Sequence, residues 1–268
     1  MKKNKTFVIA ELGINHNGNL IIAKKLIDSA SRAGVDAVKF QTYLTEKRVK
    51  KNSPIFNILK KCEFNFDDFE ILKKYSEKKG VEFMSTPFDF ESFQFLHDLK
   101  VSKIKIASFD TVNLCFLKKI SNFNKEFIMS VGMSKLKEIQ KAYDILKKNK
   151  KNKISLLHCI SSYPTIEKDA NLNCIKILKQ NFNCRIGHSD HTNDIFVPFC
   201  AVAMGAKIIE KHFMIDKSMK CVDKPVSITE KQMSNLVKKI RRYENILGDD
   251  FFGVRRVEKP FKIFRRFS

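Results

Sequence analysis

The sequence predicts a (β/α)8 TIM barrel, and three observations carry that expectation. Short apolar runs alternate with amphipathic stretches about eight times between Phe7 and Gly248. The apolar runs are continuous, not alternating in and out, so each strand should be buried on both faces as in a parallel sheet. Chemistry-bearing polar residues recur at the C-terminal end of one run after another, where such barrels carry their sites. An open doubly wound sheet would usually place a glycine-rich phosphate turn after its first strand. Gly13-Ile14-Asn15-His16-Asn17-Gly18 holds that place and does not fit G-x-G-x-x-G.

In chain order, Phe7 to Leu12 is the first strand, and Asn19 can cap the helix that follows. Ala23, Leu26, Ile27, Ala30 and Ala33 form that helix's apolar stripe, and Gly34 supplies its left-handed stop. Val35 to Phe40 is strand again. A polar loop then leads to a helix carrying Phe69, Leu72 and Tyr75, closed by Gly80, before the strand Val81 to Met84. The helix Glu91 to Leu99 leads to the strand Lys103 to Ala107, and Leu114 to Ser121 leads to Glu126 to Val131. Lys135 to Lys148 leads to Ile154 to His158, Leu172 to Gln180 to Cys184 to Gly187, and Ile195 to Met204 to Ala206 to Ile209. The last helix opens on a Thr229/Gln232 capping box, and Met233, Leu236, Val237, Ile240, Tyr243 and Leu247 make its stripe. The expected organisation is a barrel over residues 1–248 and a basic, aromatic tail over 249–268.

With 268 residues, 43% of them hydrophobic, the chain is long enough for one barrel of ~250 residues. The seven scattered cysteines form no Cys-x-x-Cys pair and read as fillers in a reduced compartment. Glu11 interrupts the first apolar run far short of a signal-peptide core, and no run reaches the ~18 residues of a membrane span. A cytoplasmic protein with no membrane association is expected. The net charge of +22 invites a nucleic-acid reading. The lysine runs, however, fall on helix ends and loops, not on one face, so no specific nucleic-acid partner is expected.

The strand ends carry Glu11; Lys39 and Gln41; Ser85 and Thr86; Lys105 and Ser108; Ser130; His158 and Ser161 to Tyr163; Ser189 and His191; Glu210 and His212. Five of the six histidines, all but His97, lie at these ends or just after them. Neutral imidazoles arriving from neighbouring strands are good ligands for a borderline divalent metal. They can equally be hydrogen-bonded loop histidines. Lys39 and Lys105 lie inside apolar runs, and a buried ammonium needs an anion. Each either pairs with Glu11, Asp110 or Glu210, or waits for a phosphate or carboxylate ligand, with Thr86, Ser108, Ser130 and Ser189 as further hydrogen-bond donors.

Nine segments in register resemble the sialic acid synthase family, which makes N-acetylneuraminate and related nonulosonic acids. They are 10–18, Val38-Lys39-Phe40-Gln41-Thr42, Ser85-Thr86-Pro87-Phe88-Asp89, Lys105-Ile106-Ala107-Ser108, Ser130-Val131-Gly132-Met133, Leu157-His158-Cys159, Tyr163-Pro164-Thr165, Ser189-Asp190-His191-Thr192 and Glu210-Lys211-His212-Phe213. The resemblance implies a transferase that condenses phosphoenolpyruvate with an N-acylated, mannosamine-type aldose, using a divalent metal, commonly Mn2+, with Mg2+ or Co2+ as alternatives. It implies His191 and His212 as metal ligands. Lys39, Thr86, Lys105, Ser108, Ser130 and Ser189 would hold phosphoenolpyruvate, and Glu11, Tyr163 and Asp223 would serve the sugar.

The resemblance ends near Gly248, so the family's C-terminal antifreeze-like domain is expected to be absent. In the family, a partner's copy of that domain gives the sugar site an arginine, for which Arg265 or Arg266 is the candidate within this chain. Cys221-Val222-Asp223 replaces the family's Gly-Pro-Asp, Ser161-Ser162 stands where an Asn is usual, and the loop after Gln41 looks short. All these departures fall on the sugar side. The alternative reading is a non-catalytic or partner-dependent barrel subunit that binds or regulates a full-length synthase. The expected assembly is a homodimer, or a second chain that completes the sugar site.

Overall fold

The computed structural model describes residues 5–249 and 251–266. The first four residues, expected to open the barrel domain, and positions 250, 267 and 268, expected in the tail, lie outside the described residues. Eight parallel strands close into a barrel in sequence order: β1 (Phe7–Gly13), β2 (Ala37–Thr42), β3 (Glu82–Pro87), β4 (Lys103–Ile106), β5 (Glu126–Ser130), β6 (Lys153–His158), β7 (Arg185–Asp190) and β8 (Ile208–His212). The expected (β/α)8 barrel is therefore the observed fold.

The crossover helices surround the strands. They are α1 (Leu20–Ala33), α4 (Phe66–Lys78), α5 (Phe90–Asp98), α6 (Leu114–Ile120), α7 (Leu136–Lys147), α8 (Cys174–Asn181), α9 (Phe196–Ala203) and α10 (Glu230–Ile246). Asn19 caps α1 by accepting from the Ile21 and Ile22 amides, and Gly34 ends it at φ +82°. Thr229 and Gln232 cap α10 reciprocally. Two short helices, α2 (Thr45–Arg48) and α3 (Phe56–Cys62), occupy what the sequence reading took for a short polar loop after Gln41. Neither is long enough to show a helical period. Leu247 is 56% exposed, so it leaves the expected α10 stripe. It lies past the last turn, where the helix has run off the barrel.

Outward-facing strand residues such as Val38, Phe40, Phe127 and Leu156 pack under the helices in one large core. A second, separate cluster fills the barrel's interior: Ile9, Ala37, Met84, Ile128, Leu157 and Ile208. Gly187 completes the packing there, because a Cβ would meet Ile208 O and Leu157 Cδ2 at 2.5 Å each. Side chains on a strand alternate faces, so residues two further along share the interior. Those residues include Glu11, Lys39, Thr86, Ser130 and Glu210. The site is thus a polar ring directly above an apolar plug.

Beyond α10, Arg256–Phe264 forms a 3-10 helix, and the described tail residues are exposed. All seven cysteines are free, and Cys115 is exposed, so it is no core filler. No helix among the described residues is long and apolar enough to cross a membrane.

Candidate active site

A cavity of about 400 Å³ opens at the C-terminal end of the barrel. All eleven site residues expected from the sequence line it: Glu11, Lys39, Thr86, Lys105, Ser108, Ser130, Tyr163, Ser189, His191, His212 and Asp223. The structure divides them into a deep half and an outer half.

In the deep half, Lys39 Nζ lies 2.6 Å from Glu11 Oε2 and 3.8 Å from Glu210 Oε2, and it donates to Thr86 Oγ1 at 3.0 Å. Lys105 Nζ lies 3.7 Å from Glu210 Oε1 and donates to Ser130 Oγ at 2.7 Å. Ser189 donates to Glu210 Oε1 at 2.9 Å. Both lysines are therefore paired within the barrel, with Glu11 and Glu210. Asp110, the third candidate partner, pairs with neither; it accepts from Asn113 Nδ2. Ser108 Oγ meets Ser161 Oγ at 3.0 Å.

The two deep carboxylates are held differently. Burial raises the Glu11 pKa, and the nearby Glu210 charge adds to the rise while Lys39 opposes it. Burial would raise Glu210 too, but Lys105 and Lys39 outweigh it and bring its pKa to about 2. Burial lowers the Lys105 pKa, whereas for Lys39 the Glu11 and Glu210 charges overcome burial and raise it. Glu11 is thus the deep carboxyl suited to exchanging a proton, and Glu210 is a fixed anion.

The two cavity histidines come from the ends of β7 and β8. The preceding residues, Asp190 and Lys211, are register partners and form a fully buried ion pair at 2.6 Å. His191 Nδ1 donates to Ile160 O at 2.6 Å, which leaves Nε2 as the lone-pair nitrogen. Burial lowers its pKa to about 3, so the ring is neutral. Its centroid is 5.6 Å from that of His212. His212 Nδ1 lies 3.4 Å from Asp223 Oδ2, a charge contact too long for a good hydrogen bond. Burial would lower the His212 pKa, but Asp223 and Glu11 outweigh it and raise it. The Tyr163 ring lies 4.2 Å from that of His191, tilted by 38°.

The arrangement suits a divalent cation with an open side. Among the described residues no three His, Cys, Asp or Glu form a complete ligand group. Two imidazoles, however, converge beside buried atoms that make long charge contacts but no hydrogen bond: Glu210 Oε2, His212 Nδ1 and Asp223 Oδ2. The remaining strand-end histidines do something else. His158 Nε2 donates to Ala170 O, His188 Nδ1 donates to His158 O, and His16 stacks at 4.0 Å on Phe64. None of the three lines the cavity. Strand parity separates the groups: Leu157 and Ile208 face in, so His158 faces out and His212 faces in.

The outer half holds residues the sequence reading did not assign. Gln41 donates to Glu11 Oε1 at 3.3 Å. Arg48, at the end of α2, donates to Gln41 Oε1 at 3.0 Å and lies on the Phe88 ring at 3.6 Å. Ile14, Ile55, Phe88 and Phe109 give this half apolar walls. Arg265 and Arg266, the expected arginines, are exposed on the tail and do not line the cavity. The sequence carried one signal for Arg48: the chain has nine arginines against 42 lysines, so an arginine between two strand-end motifs is unusual in it.

Residues 26–251 match the NeuB family. N,N'-diacetyllegionaminic acid synthase of Legionella pneumophila is 40% identical over 260 residues, covering 90% of this chain and 73% of that protein. N-acetylneuraminate-9-phosphate synthase of Homo sapiens is 32% identical over 256 residues, covering 90% and 71%. The crystal structure of N-acetylneuraminic acid synthetase from Leptospira borgpetersenii, in complex with citrate, superposes with a TM-score of 0.93 at 39% identity, covering 98% of this chain and 92% of that one. With its family motifs gathered around one cavity and matches of this extent, the chain belongs to the NeuB family.

Proposed function

We propose that this chain condenses phosphoenolpyruvate with the open-chain aldehyde of an N-acylated hexosamine, giving a nonulosonic acid and phosphate. The observation that carries the reading is a pair of buried lysines and a pair of converging imidazoles on one cavity floor. The cytoplasm, where phosphoenolpyruvate is abundant, is the compartment for it.

The enol carbon attacks the aldehyde carbon, forming the new C–C bond, and the aldehyde oxygen takes a proton. Water adds at the neighbouring, phosphate-bearing carbon and gives up its protons as that carbon becomes a ketone, while the C–O bond to phosphate breaks with its electron pair leaving on phosphate. Lys39 and Lys105 bind the phosphate and carboxylate through charge, with Thr86, Ser108, Ser130 and Ser189 donating hydrogen bonds. The lysines are already held by strand-borne carboxylates, so they need little reorganisation on binding. Glu11 exchanges the proton, while Tyr163 and Asp223 orient the aldose. Holding both reactants in one cavity supplies ~7–11 kcal/mol of the barrier. His191 and His212 would hold a divalent cation, Mn2+ first and Mg2+ or Co2+ as alternatives, which supplies Lewis acidity toward the aldehyde oxygen when bound.

The test is phosphate release with phosphoenolpyruvate, Mn2+ and a panel of N-acyl hexosamines. Metal-dependent phosphate with at least one aldose is expected; none with any, and no phosphoenolpyruvate binding, overturns the reading. His191→Ala and His212→Ala should abolish metal-dependent turnover and remain folded. A His212 variant that turns over like the parent overturns the metal assignment. A partner-dependent barrel would instead be silent alone and active only when mixed with a second synthase chain.

A further inference from the structure

The deep half of the cavity is balanced in charge, because Lys39 and Lys105 meet Glu11 and Glu210. Arg48 is not matched in this way. Among the described residues no carboxylate lies within ion-pair distance of its guanidinium, although the group is half-buried and lines the cavity. It is nonetheless held firmly in place. Its Cζ sits 3.6 Å from the Phe88 centroid and 4.6 Å from that of Tyr43. The Tyr43 hydroxyl is itself fixed to Leu59 O of α3 at 2.9 Å. One N–H goes to Gln41 Oε1, and Gln41 passes the order on to Glu11. A guanidinium has five N–H donors in a rigid fork. No second hydrogen bond joins this one to a described residue.

The surroundings say what those donors take. Asp223, Asp110 and Glu11 lie close enough to stabilise the Arg48 charge, while burial lowers its pKa. Their charges answer part of the guanidinium's at longer range, so it draws a further anion less strongly than an isolated guanidinium would. The walls beside it, Ile14, Ile55, Phe88 and Phe109, suit uncharged groups.

We propose that Arg48 sets the specificity of this site for its second substrate. Its guanidinium edge takes a neutral acceptor oxygen, hydroxyl or amide carbonyl, at the far end of the aldose, and the neighbouring carboxylates disfavour an aldose carrying a phosphate. The identity of the second substrate as an aldose rests on the proposed function; the residue's place in the cavity does not.

The experiment compares the parent with Arg48→Lys and Arg48→Leu, using neutral N-acyl hexosamines and their 6-phosphates. Steady-state phosphate release and ligand-observed NMR binding of the aldose alone are both read. In Arg48→Leu the KM for the neutral aldose should rise about 10- to 100-fold, the loss expected for a charged hydrogen-bond donor. The KM for phosphoenolpyruvate should change less than about threefold. Arg48→Lys should recover little, because an ammonium cannot keep the stacked fork. The parent should favour the neutral aldose over its phosphate. An unchanged aldose KM in Arg48→Leu, or a parent that prefers the 6-phosphate, overturns the inference. A parent without turnover whose aldose binding is weakened in Arg48→Leu keeps Arg48 and removes the proposed reaction. A parent that neither turns over nor binds any aldose removes both.

Discussion

Two rings of side chains face the inside of this barrel, one stacked on the other. The lower ring is Ile9, Ala37, Met84, Ile128, Leu157 and Ile208, all of them apolar. Two residues further along the same strands, the upper ring carries Glu11, Lys39, Thr86, Ser130 and Glu210, joined by Lys105 and Ser189. Backbone, neighbours and burial are nearly the same in both, yet one ring is oil and the other is salt. Burying apolar side chains stabilises a barrel by roughly 25 cal/mol per Å². Burying ammoniums and carboxylates stabilises it weakly at best. The upper ring is therefore an arrangement that folding alone would not favour, and its cost is evidence of a ligand.

The strongest way to break this comparison is in the upper ring. Lys105→Ala or Lys39→Ala should lower kcat/KM for phosphoenolpyruvate by about 10³, as loss of a preorganised charge partner does, while circular dichroism shows an intact fold. Activity within tenfold of the parent would make the ring structural. The pair Lys105→Met with Glu210→Gln sharpens the point. It removes charge from both sides, so turnover should vanish while Tm holds or rises.

The lower ring should respond in the opposite sense. Ile128, fully buried in the plug, can be truncated to Ala at a cost of about 3 kcal/mol in urea unfolding. Turnover per folded molecule should stay near that of the parent. If Ile128→Ala lost its activity at full foldedness, the division of labour between the rings would be wrong.

The difference between the rings also explains what the sequence could and could not show. The strands were legible because they are apolar on both faces. The end of β6 at His158 was legible too, but the last two were not: β7 was expected to stop at Gly187 and runs to Asp190, and β8 was expected to stop at Ile209 and runs to His212. Reading apolarity stops a strand at its first polar side chain, although the extended backbone continues through it. All eleven assigned residues reach the cavity because their motifs sit at the strand ends or, for Tyr163 and Asp223, in the loops that follow them. Arg48 went unassigned because, apart from the rarity of arginine in this chain, its meaning lies in a stack on Phe88, a residue on another strand's loop. The clustering of five histidines pointed to the right end of the barrel, but position along a strand does not give the facing.

The smallest predicted effect concerns the histidines that face away from the cavity. Burial lowers the His158 pKa from an ordinary 6.5 to about 4, and that of His16 to about 3. Their folded-state pKa values are depressed, so the unfolded chain binds more protons than the native one as pH falls below 6.5. Their contribution is complete above pH 6.5 and is lost progressively toward the folded values. Between pH 6.5 and 5.5 each should remove about 1 kcal/mol, before most carboxylates titrate. His158→Gln can keep a donor to Ala170 O and cannot titrate, so it should flatten the slope of unfolding free energy against pH by about one proton. Chelator in the buffer separates this from any change at His191 and His212. An unchanged slope in His158→Gln would mean that this outward imidazole is not held neutral. The sorting of the histidines into a cavity pair and a structural group would then lose its energetic basis.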